Sequence, residues 1–484
     1  MRIHYLARLV LAYVFVGIVA GCAGQSQLAP SSPLQALPLG QTGRDAVVKD
    51  SQGTKAESET TPYSLVDLGT FGGPQSVVPQ GQLVGPAQIL NDSGTVVGWA
   101  DTAMPDPFPA FCFDALLAKF DLFSPDCNLA NTFKSQNGVL AQLGGLSQDS
   151  SAAVAISDNG LITGMSQNGQ TDPLVPGFPE LRAVLWDGQQ ATDLGTLGGN
   201  ESYAAGVNDR GQIAGSALNA VADPYSFFGV FTALSANSTQ TRAFLWQKNK
   251  MTDIGTLGGP DAEGVFINRR GQIAGDSYTN DVPNADSGIP TDLPFLWTPG
   301  KKMQNLGTFS GDEINTDEGL NDKGEVIGSL FLAGDQSAHP YLWNGKRLID
   351  LGTFGGPYGD AQSINDAGEV VGTSFTCDGS FTTGYLWQHG AIADLNTMLP
   401  PSSAMHVFFP IDINDRGEIA GLGTLANGDV HAFLLVLNGH NTHRHMSGAA
   451  RTAVVPRKVT PAEVAVFRTF VAHMHDRFRR HRRL

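Results

Sequence analysis

The segment Ala243–Gly275, AFLWQKNKMTDIGTLGGPDAEGVFINRRGQIAG, contains each part of a pattern that recurs along most of the chain. In the first part, two small or apolar residues precede Leu-Trp. In the second, Asp-Ile-Gly-Thr is followed by glycines. In the last two, Ile-Asn-x-x-Gly is followed by Ile-x-Gly. The Asn-x-x-Gly part, or its Ser variant, begins at Asn91, Ser157, Asn208, Asn268, Asn321, Asn365 and Asn414. Repeats of roughly 45 to 65 residues are close to the length of propeller blades, and about seven copies fall within the four to eight blades that close a ring.

One repeat, from Ser202 to Thr256, predicts a four-stranded antiparallel sheet. Its first two strands flank Asn208-Asp209-Arg210-Gly211, where Asn and Asp bond their own backbone and Gly takes the positive φ that closes a hairpin. The third strand contains Ala243–Trp246, and the fourth contains Met251–Ile254. First strands rich in small residues suit the crowded axis of a ring of radial sheets.

The two ends of the globular region complete one another. Tyr63–Thr70 has the pattern of a fourth strand without the preceding three, and Ala432–Leu435 has that of a third strand without a fourth. Pairing of these ends would hide both open sheet edges. The sequence therefore predicts an all-β fold: a seven-bladed β-propeller of four-stranded antiparallel blades, spanning 62–439, with the N-terminal strand closing the last blade.

Other recurring positions favour structural roles. His339 and His431 hold the repeat position that Arg182 and Arg242 hold elsewhere, which favours a structural role over catalysis. A tryptophan recurs on the third strand, where packing between blades is the favoured role over a ligand platform. These residues are Trp186, Trp246, Trp297, Trp343 and Trp387.

The units resemble the HAF-type extracellular repeat, as in Arg242–Trp246 and His431–Leu434. The resemblance covers nearly all of Tyr63 to Gly439. It implies an exported bacterial protein with a propeller fold and no established activity. The first, second and seventh copies depart most from the pattern, so the blade boundaries predicted there are less well defined.

The N-terminal segment 1–21 is predicted to be a signal peptide, with a positively charged start and an apolar stretch too short to anchor stably in a bilayer. Val19-Ala20-Gly21-Cys22 resembles the lipobox of bacterial lipoproteins, in which the cysteine is acylated. The alternative is an ordinary secretion signal. We expect an exported, membrane-anchored lipoprotein of the bacterial cell envelope, at the outer membrane or cell surface. Residues 22–61, poor in aromatics, are predicted to be a disordered tether.

The C-terminal tail, 440–484, is basic, with ten Lys or Arg residues and two acids, whereas the whole chain has a net charge of −16. Thr460-Pro461-Ala462-Glu463 is a capping box. The apolar stripe after it predicts an amphipathic helix over 461–480. Docking on the acidic propeller and binding to an anionic membrane or cell wall are alternatives; nucleic acid is least favoured outside the cytoplasm.

Cysteine and metal chemistry are sparse in this sequence. Cys112 and Cys127 flank an insertion in the first repeat, so either a disulfide closes the insertion or both thiols are buried. Spacing typical of a zinc site is absent. The Asn-Asp turns suggest calcium, but an EF-type ligand series is missing and a hairpin explains the Asp residues. We therefore expect no cofactor, with calcium as the less favoured alternative.

The connections after the second strands vary most in length, and loops of this kind usually carry binding on a rigid scaffold. The hypothesis is a shallow site for a glycan or protein partner on a monomeric, non-catalytic binding protein; the alternative is that the loops only pack on one another. The rival functions are a propeller-type polysaccharide lyase or glycosidase, and a structural envelope protein. The candidate ligand-binding residues are Trp99, Tyr225, Phe227, Phe228, Phe231, Tyr278, Asp281 and Asp286.

Overall fold

The structure is a computed structural model of the chain. It describes residues 61–69, 71, 76–77, 88–105, 128–137, 139–174, 179–227, 239–283, 289–308, 316–332, 337–376, 382–426 and 430–438. The predicted signal peptide, tether and helix 461–480 lie outside these ranges. No helix among the described residues is long and apolar enough to span a bilayer.

The described residues form mainly β-strands. The first half contains β1 (Tyr63–Asp67), β2 (Ser76–Val77), β3 (Val96–Pro105), β4 (Asn128–Gln136), β5 (Val139–Gln142), β6 (Ser151–Ile156), β7 (Ile162–Thr171), β8 (Pro179–Trp186), β9 (Ala191–Asp193), β10 (Ser202–Val207), β11 (Ile213–Ala222), β12 (Thr239–Gln247), β13 (Lys250–Asp253) and β14 (Ala262–Ile267). The second half contains β15 (Ile273–Pro283), β16 (Pro290–Trp297), β17 (Gln304–Asn305), β18 (Thr316–Leu320), β19 (Val326–Phe331), β20 (Ala338–Trp343), β21 (Leu348–Asp350), β22 (Gly355–Ile364), β23 (Val370–Thr376), β24 (Thr382–Gln388), β25 (Ala391–Asp394), β26 (Met405–Ile413), β27 (Ile419–Leu425) and β28 (Val430–Leu437). A 3₁₀ turn, Leu395–Met398, precedes β26.

The strands form five four-stranded sheets and one eight-stranded sheet. Four of the smaller sheets run in chain order from β2 to β17, and the fifth has the order β1-β28-β27-β26. The eight-stranded sheet contains two antiparallel groups, β18–β21 and β22–β25, which one parallel pair joins at Ala338 and Tyr358. The all-β class and the four-stranded antiparallel sheets predicted from the repeat are confirmed.

The two ends of the described globular region lie in one sheet. β1 pairs with β28 in antiparallel register from Tyr63 opposite Leu437 to Asp67 opposite Phe433. The Tyr63 hydroxyl also donates a hydrogen bond of 3.1 Å to the carbonyl of Gly417. The predicted pairing of the ends is therefore confirmed, and each end covers the backbone edge of the other.

In five of the strand pairs, a glycine on the second strand makes room for a bulge in the first strand. In the β14–β15 pair the register shifts between Gly264 and Phe266. A Cβ added at Gly275 would overlap the carbonyl oxygen of Glu263. Similar overlaps with the first strand are found at Gly164, Gly215, Gly372 and Gly421. This close approach explains the glycine that follows the Asn-x-x-Gly turn in these five copies.

The apolar core lies within and between the sheets. β6, with the sequence SAAVAI, is buried along its whole length, as the small residues predicted. Trp186 of β8 is also fully buried, and its indole Nε1 donates a hydrogen bond of 2.7 Å to the carbonyl of Gly144, which follows β5. At this position the recurring tryptophan therefore packs between neighbouring sheets, as predicted.

Candidate functional site

The seven Asn-x-x-Gly turns, which join the first and second strands of successive four-stranded groups, are linked in a closed ring. The closing bond runs from Asn414 Nδ2 to the carbonyl of Asn91, 3.1 Å away and 323 positions distant in sequence. The other links run from Asn91 to Ser157, Asn159 to Asp209, Asn208 to Asn268, Asn268 to Asn321, Asn321 to Asn365, and Asn365 to Asn414. We call the surface formed by these turns the turn face.

The asparagine side chain explains why this turn repeats. Asn268 Oδ1 accepts the backbone N–H groups of Arg270 and Gln272, both at 3.0 Å, and so closes its own turn. Its Nδ2 donates to the carbonyl of Asn321 in the next turn at 3.1 Å. One buried side chain thus satisfies local backbone donors and a neighbouring acceptor together.

The residue after the first turn position is aspartate in six of the seven copies. Asp366 Oδ1, for example, accepts the backbone N–H of Asp322 at 2.8 Å. All six line a depression at the centre of the turn face: Asp92, Asp158, Asp209, Asp322, Asp366 and Asp415. Each has one oxygen engaged by a neighbouring turn.

Arg269 holds the seventh position and reaches across the depression. Its guanidinium lies 3.4 Å from Asp209 and 3.3 Å from Asp322, and it hydrogen-bonds Asp158. The contact with Asp92 is longer, at 3.8 Å. The Asp158 hydrogen bond helps to raise the pKa of Arg269, so this cation stays charged. One guanidinium therefore ties together carboxylates from four turns.

Arg269 does not neutralise the whole ring. Burial and the neighbouring Asp158 raise the pKa of Asp92. Burial, followed by Asp366 and Asp92, raises the pKa of Asp415. Like-charge repulsion therefore remains on the side of the ring that contains Asp92, Asp366 and Asp415.

Asp412 lies beneath the turn face and is fully buried. Its carboxyl accepts hydrogen bonds from Ser363 Oγ at 2.6 Å and from the Leu90 N–H at 2.8 Å. Burial outweighs these hydrogen bonds and raises the pKa of Asp412 to about 7. This carboxyl joins three parts of the ring and titrates near neutral pH.

The basic residues of the third strands pair with the Asp of the Asp-Leu-Gly-Thr run. Arg242 Nε lies 2.8 Å from Asp253, and the Nδ1 atoms of His339 and His431 lie 2.9 Å from Asp350 and Asp67 respectively. The shared repeat position therefore corresponds to a shared contact between the third and fourth strands. This supports the structural role predicted for both histidines.

The connections after the second strands lie at the opposite ends of those strands, and we call this surface the loop face. Of the candidate ligand-binding residues, Trp99 lies within β3 rather than in a loop. Trp99, Phe227 and Tyr278 are 4%, 2% and 0% exposed. The rings of Phe227 and Tyr278 lie 4.3 Å apart, and Tyr225 packs against their cluster. This arrangement favours the packing alternative for these side chains. Asp281 is exposed.

The remaining predicted site residues lie outside the described residues. They are Phe228, Phe231 and Asp286 of the loops, Cys22, and the Cys112 and Cys127 pair.

Three apolar side chains that the sequence analysis did not single out are exposed on the loop face. Met104, Val221 and Val282 are 55%, 53% and 66% exposed, near the ends of β3, β11 and β15. A polar side chain two residues earlier accepts the N–H of each: Thr102 at 3.1 Å, Asn219 at 2.8 Å and Asn280 at 2.8 Å. These equivalent turns hold the three apolar side chains in solvent.

Both missed features have a sequence signal. Arg269 is the one basic residue at a repeat position otherwise held by aspartate. Met104, Val221 and Val282 each lie two residues after a threonine or an asparagine, near the end of a second strand. Among the described residues, no group of three His, Cys, Asp or Glu side chains is arranged to hold a metal ion.

No protein-family model matches this chain, and no curated protein matches it significantly. Similar solved structures include the β-propeller domain of the Trilobed protease from Pyrococcus furiosus, at 10% identity, covering 65% of this chain and 87% of that one, with a TM-score of 0.40. Pyrococcus horikoshii acylaminoacyl peptidase (11% identity, TM-score 0.38) and Trypanosoma rangeli sialidase (11%, 0.34) match over 80% and 78% of this chain. This chain spans 54% and 60% of their lengths. The β-propeller assignment rests on the sheet order and the closed ring of turns, since these similarities are too weak to carry it.

Proposed function

We propose that this chain is a non-catalytic binding protein built on a seven-bladed β-propeller of HAF-type repeats. Seven linked turns support seven blades, with the eight-stranded sheet counted as two blades joined by the Ala338–Tyr358 pair. Its proposed place is the bacterial cell envelope, with export through the N-terminal segment and a lipid on Cys22. The ligand is a glycan or a protein bound at the loop face.

The exposure of Met104, Val221 and Val282 carries this proposal. Apolar side chains held in solvent at equivalent positions of three sheets form a surface that a ligand can desolvate. Full burial of one such side chain is worth about 1.5–3 kcal/mol. Asp281 beside Val282 is exposed and adds a hydrogen-bond acceptor. The polar groups of the turn face, in contrast, already bind one another.

Binding can be tested with the full chain on glycan and surface-protein arrays, with and without calcium. The Met104→Ser, Val221→Ser, Val282→Ser triple variant is expected to lose most of the signal. Val139→Ser is the matched control, because Val139 is 68% exposed but lies on β5. Equal binding by the triple variant and the wild type would rule out this loop-face surface.

Anchoring is tested separately with Cys22→Ser. We expect this variant to move from the membrane fraction to the soluble fraction and to lose incorporation of a labelled fatty acid. Unchanged membrane retention without label incorporation would contradict the lipid anchor and leave the binding proposal standing.

A further inference from the structure

Pairs of buried carboxyl groups lie at two contacts between adjacent sheets, which we call joints. One joint is between the β6–β9 and β10–β13 sheets, and the other is between the β10–β13 and β14–β17 sheets. In each pair one aspartate begins the loop after a second strand, and the partner acid precedes the first strand of the next sheet. Asp223 and Asp261 are 5% and 0% exposed, and Asp172 and Glu201 are 3% and 4% exposed. Because the same arrangement occurs in two successive joints, the buried acid pair is a repeated structural feature.

The Asp223–Asp261 pair holds the start of the loop after β11 through hydrogen bonds. Asp261 accepts the N–H of Phe227 at 2.7 Å and that of Thr241 at 2.9 Å, so both of its oxygens are engaged. Asp223 Oδ1 accepts the N–H of Tyr225 at 2.8 Å. Asp223 Oδ2 is buried and has no hydrogen-bond partner among the described residues.

The other pair repeats these contacts. Glu201 accepts the N–H of Leu181, as Asp261 accepts that of Thr241. Asp172 Oδ1 accepts the N–H of Leu174 at 2.8 Å and Asn200 Nδ2 at 2.6 Å. Both acids therefore connect one sheet to the next.

No described cation forms an ion pair with any of the four acids. Arg242, near Asp261, binds Asp253 and the Pro260 carbonyl; Arg182, near Glu201, binds Asp193, Glu180 and the Asn200 carbonyl. The other titratable groups facing the two pairs are Tyr278, Asp292, Glu263 and Glu180.

Two negative charges in such a joint are unfavourable because they are both buried and close together. Burial, then the charge of Asp223, raises the pKa of Asp261 to about 8. Burial also raises the pKa of Asp223. Burial and Asp172 raise the pKa of Glu201 well above its usual range.

We propose that each pair holds one proton at neutral pH and that loss of this proton releases the start of the adjoining loop from the next sheet. In the Asp223–Asp261 pair, Asp261 is the more deeply buried acid and holds the proton at neutral pH. Deprotonation leaves two carboxylates facing each other, and their repulsion is relieved when Asp223–Phe227 moves away. The loop face thus contains a pH-sensitive switch.

A third joint provides an internal control. There the Ala130 N–H donates to Ser150 Oγ at 3.2 Å, in the place where Leu181 and Thr241 donate to acids. Serine does not titrate in this range, so the Ala130 joint is expected to be insensitive to pH.

The test is hydrogen exchange of the full chain between pH 6 and 9, with rates corrected for the intrinsic pH dependence of exchange. Above the pH at which the pair loses its proton, the protection factors of the Tyr225, Phe227 and Thr241 amides against exchange should fall by about tenfold per pH unit. Protection of the Ala130 amide should stay constant. Equal behaviour of the two joints would overturn the proposal.

Asp223→Asn removes the second negative charge while its amide oxygen can still accept the Tyr225 N–H. This variant should keep protection of the Phe227 amide constant up to pH 9, whereas Asp172→Asn should leave the Phe227 response as in the wild type. A wild-type response in Asp223→Asn would overturn the proposal, as would recovery of protection on adding calcium at pH 9, which would assign a cation to the pair. The test uses no ligand, so its outcome is independent of the proposed binding function.

Discussion

The turn face and the loop face are built from the same strands but use their polar groups differently. On the turn face, each asparagine closes its own turn and bonds the next, and Arg269 links four carboxylates. On the loop face, Met104, Val221 and Val282 lie in solvent, and two pairs of buried acids join neighbouring sheets. The turn face therefore closes the ring, and the loop face is the surface to which we assign the proposed binding and the proposed switch.

The largest expected effect on the turn-face side comes from Asp412, beneath the ring. Its pKa is about 7 when folded, against 3.8 for the free side chain, so its stabilisation is complete below about pH 4 and lost as the pH rises through 7. The loss is on the order of 4 kcal/mol. Asp412→Asn should remove this part of the pH dependence, as measured by urea unfolding at pH 4.5 and 7. Parallel curves for variant and wild type would contradict it.

Asn414→Ala should destabilise the protein by about 3 kcal/mol, because it removes the buried bond that closes the ring and leaves two partly buried N–H groups without their acceptor. Asn219→Ala makes the same change on the loop face, where the side chain closes one turn and bonds Gln240. We expect that control to cost about 0.5–1 kcal/mol. Equal losses in thermal unfolding would remove the contrast between the faces.

Arg269→Gln should destabilise the protein by about 1 kcal/mol in low salt, since its ion pairs are half exposed but several act together. Without the guanidinium, repulsion among the six aspartates increases. Added salt should therefore recover most of the loss by screening the carboxylates. A loss that is unchanged at about 0.5 M salt would mean that packing of the side chain matters more than its charge.

The smallest effect on stability is expected for the Met104→Ser, Val221→Ser, Val282→Ser triple variant. These side chains are exposed, so the unfolding free energy should change by no more than about 0.5 kcal/mol. Thermal unfolding of the triple variant beside Val139→Ser checks this. A large loss would show that the loop tips support the fold, and it would weaken their proposed role in binding.

Much of the fold could be predicted because its determinants are local. The Asn-x-x-Gly turn, the two strands that it joins and the glycine opposite the bulge are close together in the sequence. The pairing of β1 with β28 was also predictable, since an incomplete unit at each end has one way to hide both edges.

The candidate site was less predictable from sequence. Aromatic residues in variable loops suggested a stacking surface, but Phe227 and Tyr278 pack against each other in the interior with their rings tilted. Burial of a loop side chain depends on the neighbouring loop, and neither periodicity nor composition specifies how two loops meet. The exposed residues are the smaller Val221 and Val282, whose sequence signal is an asparagine two residues before each of them.

By itself, the sequence determined the repeat, the turn type and the four-stranded unit, because each repeat encodes them. It also determined the pairing of the two ends, because each end carries an incomplete unit with an open edge. Only the tertiary structure decided that Arg269 reaches aspartates up to 177 positions away and that Asp223 faces Asp261. Those contacts depend on the angle and spacing between neighbouring sheets, which arise when the ring closes and leave no mark in any single repeat.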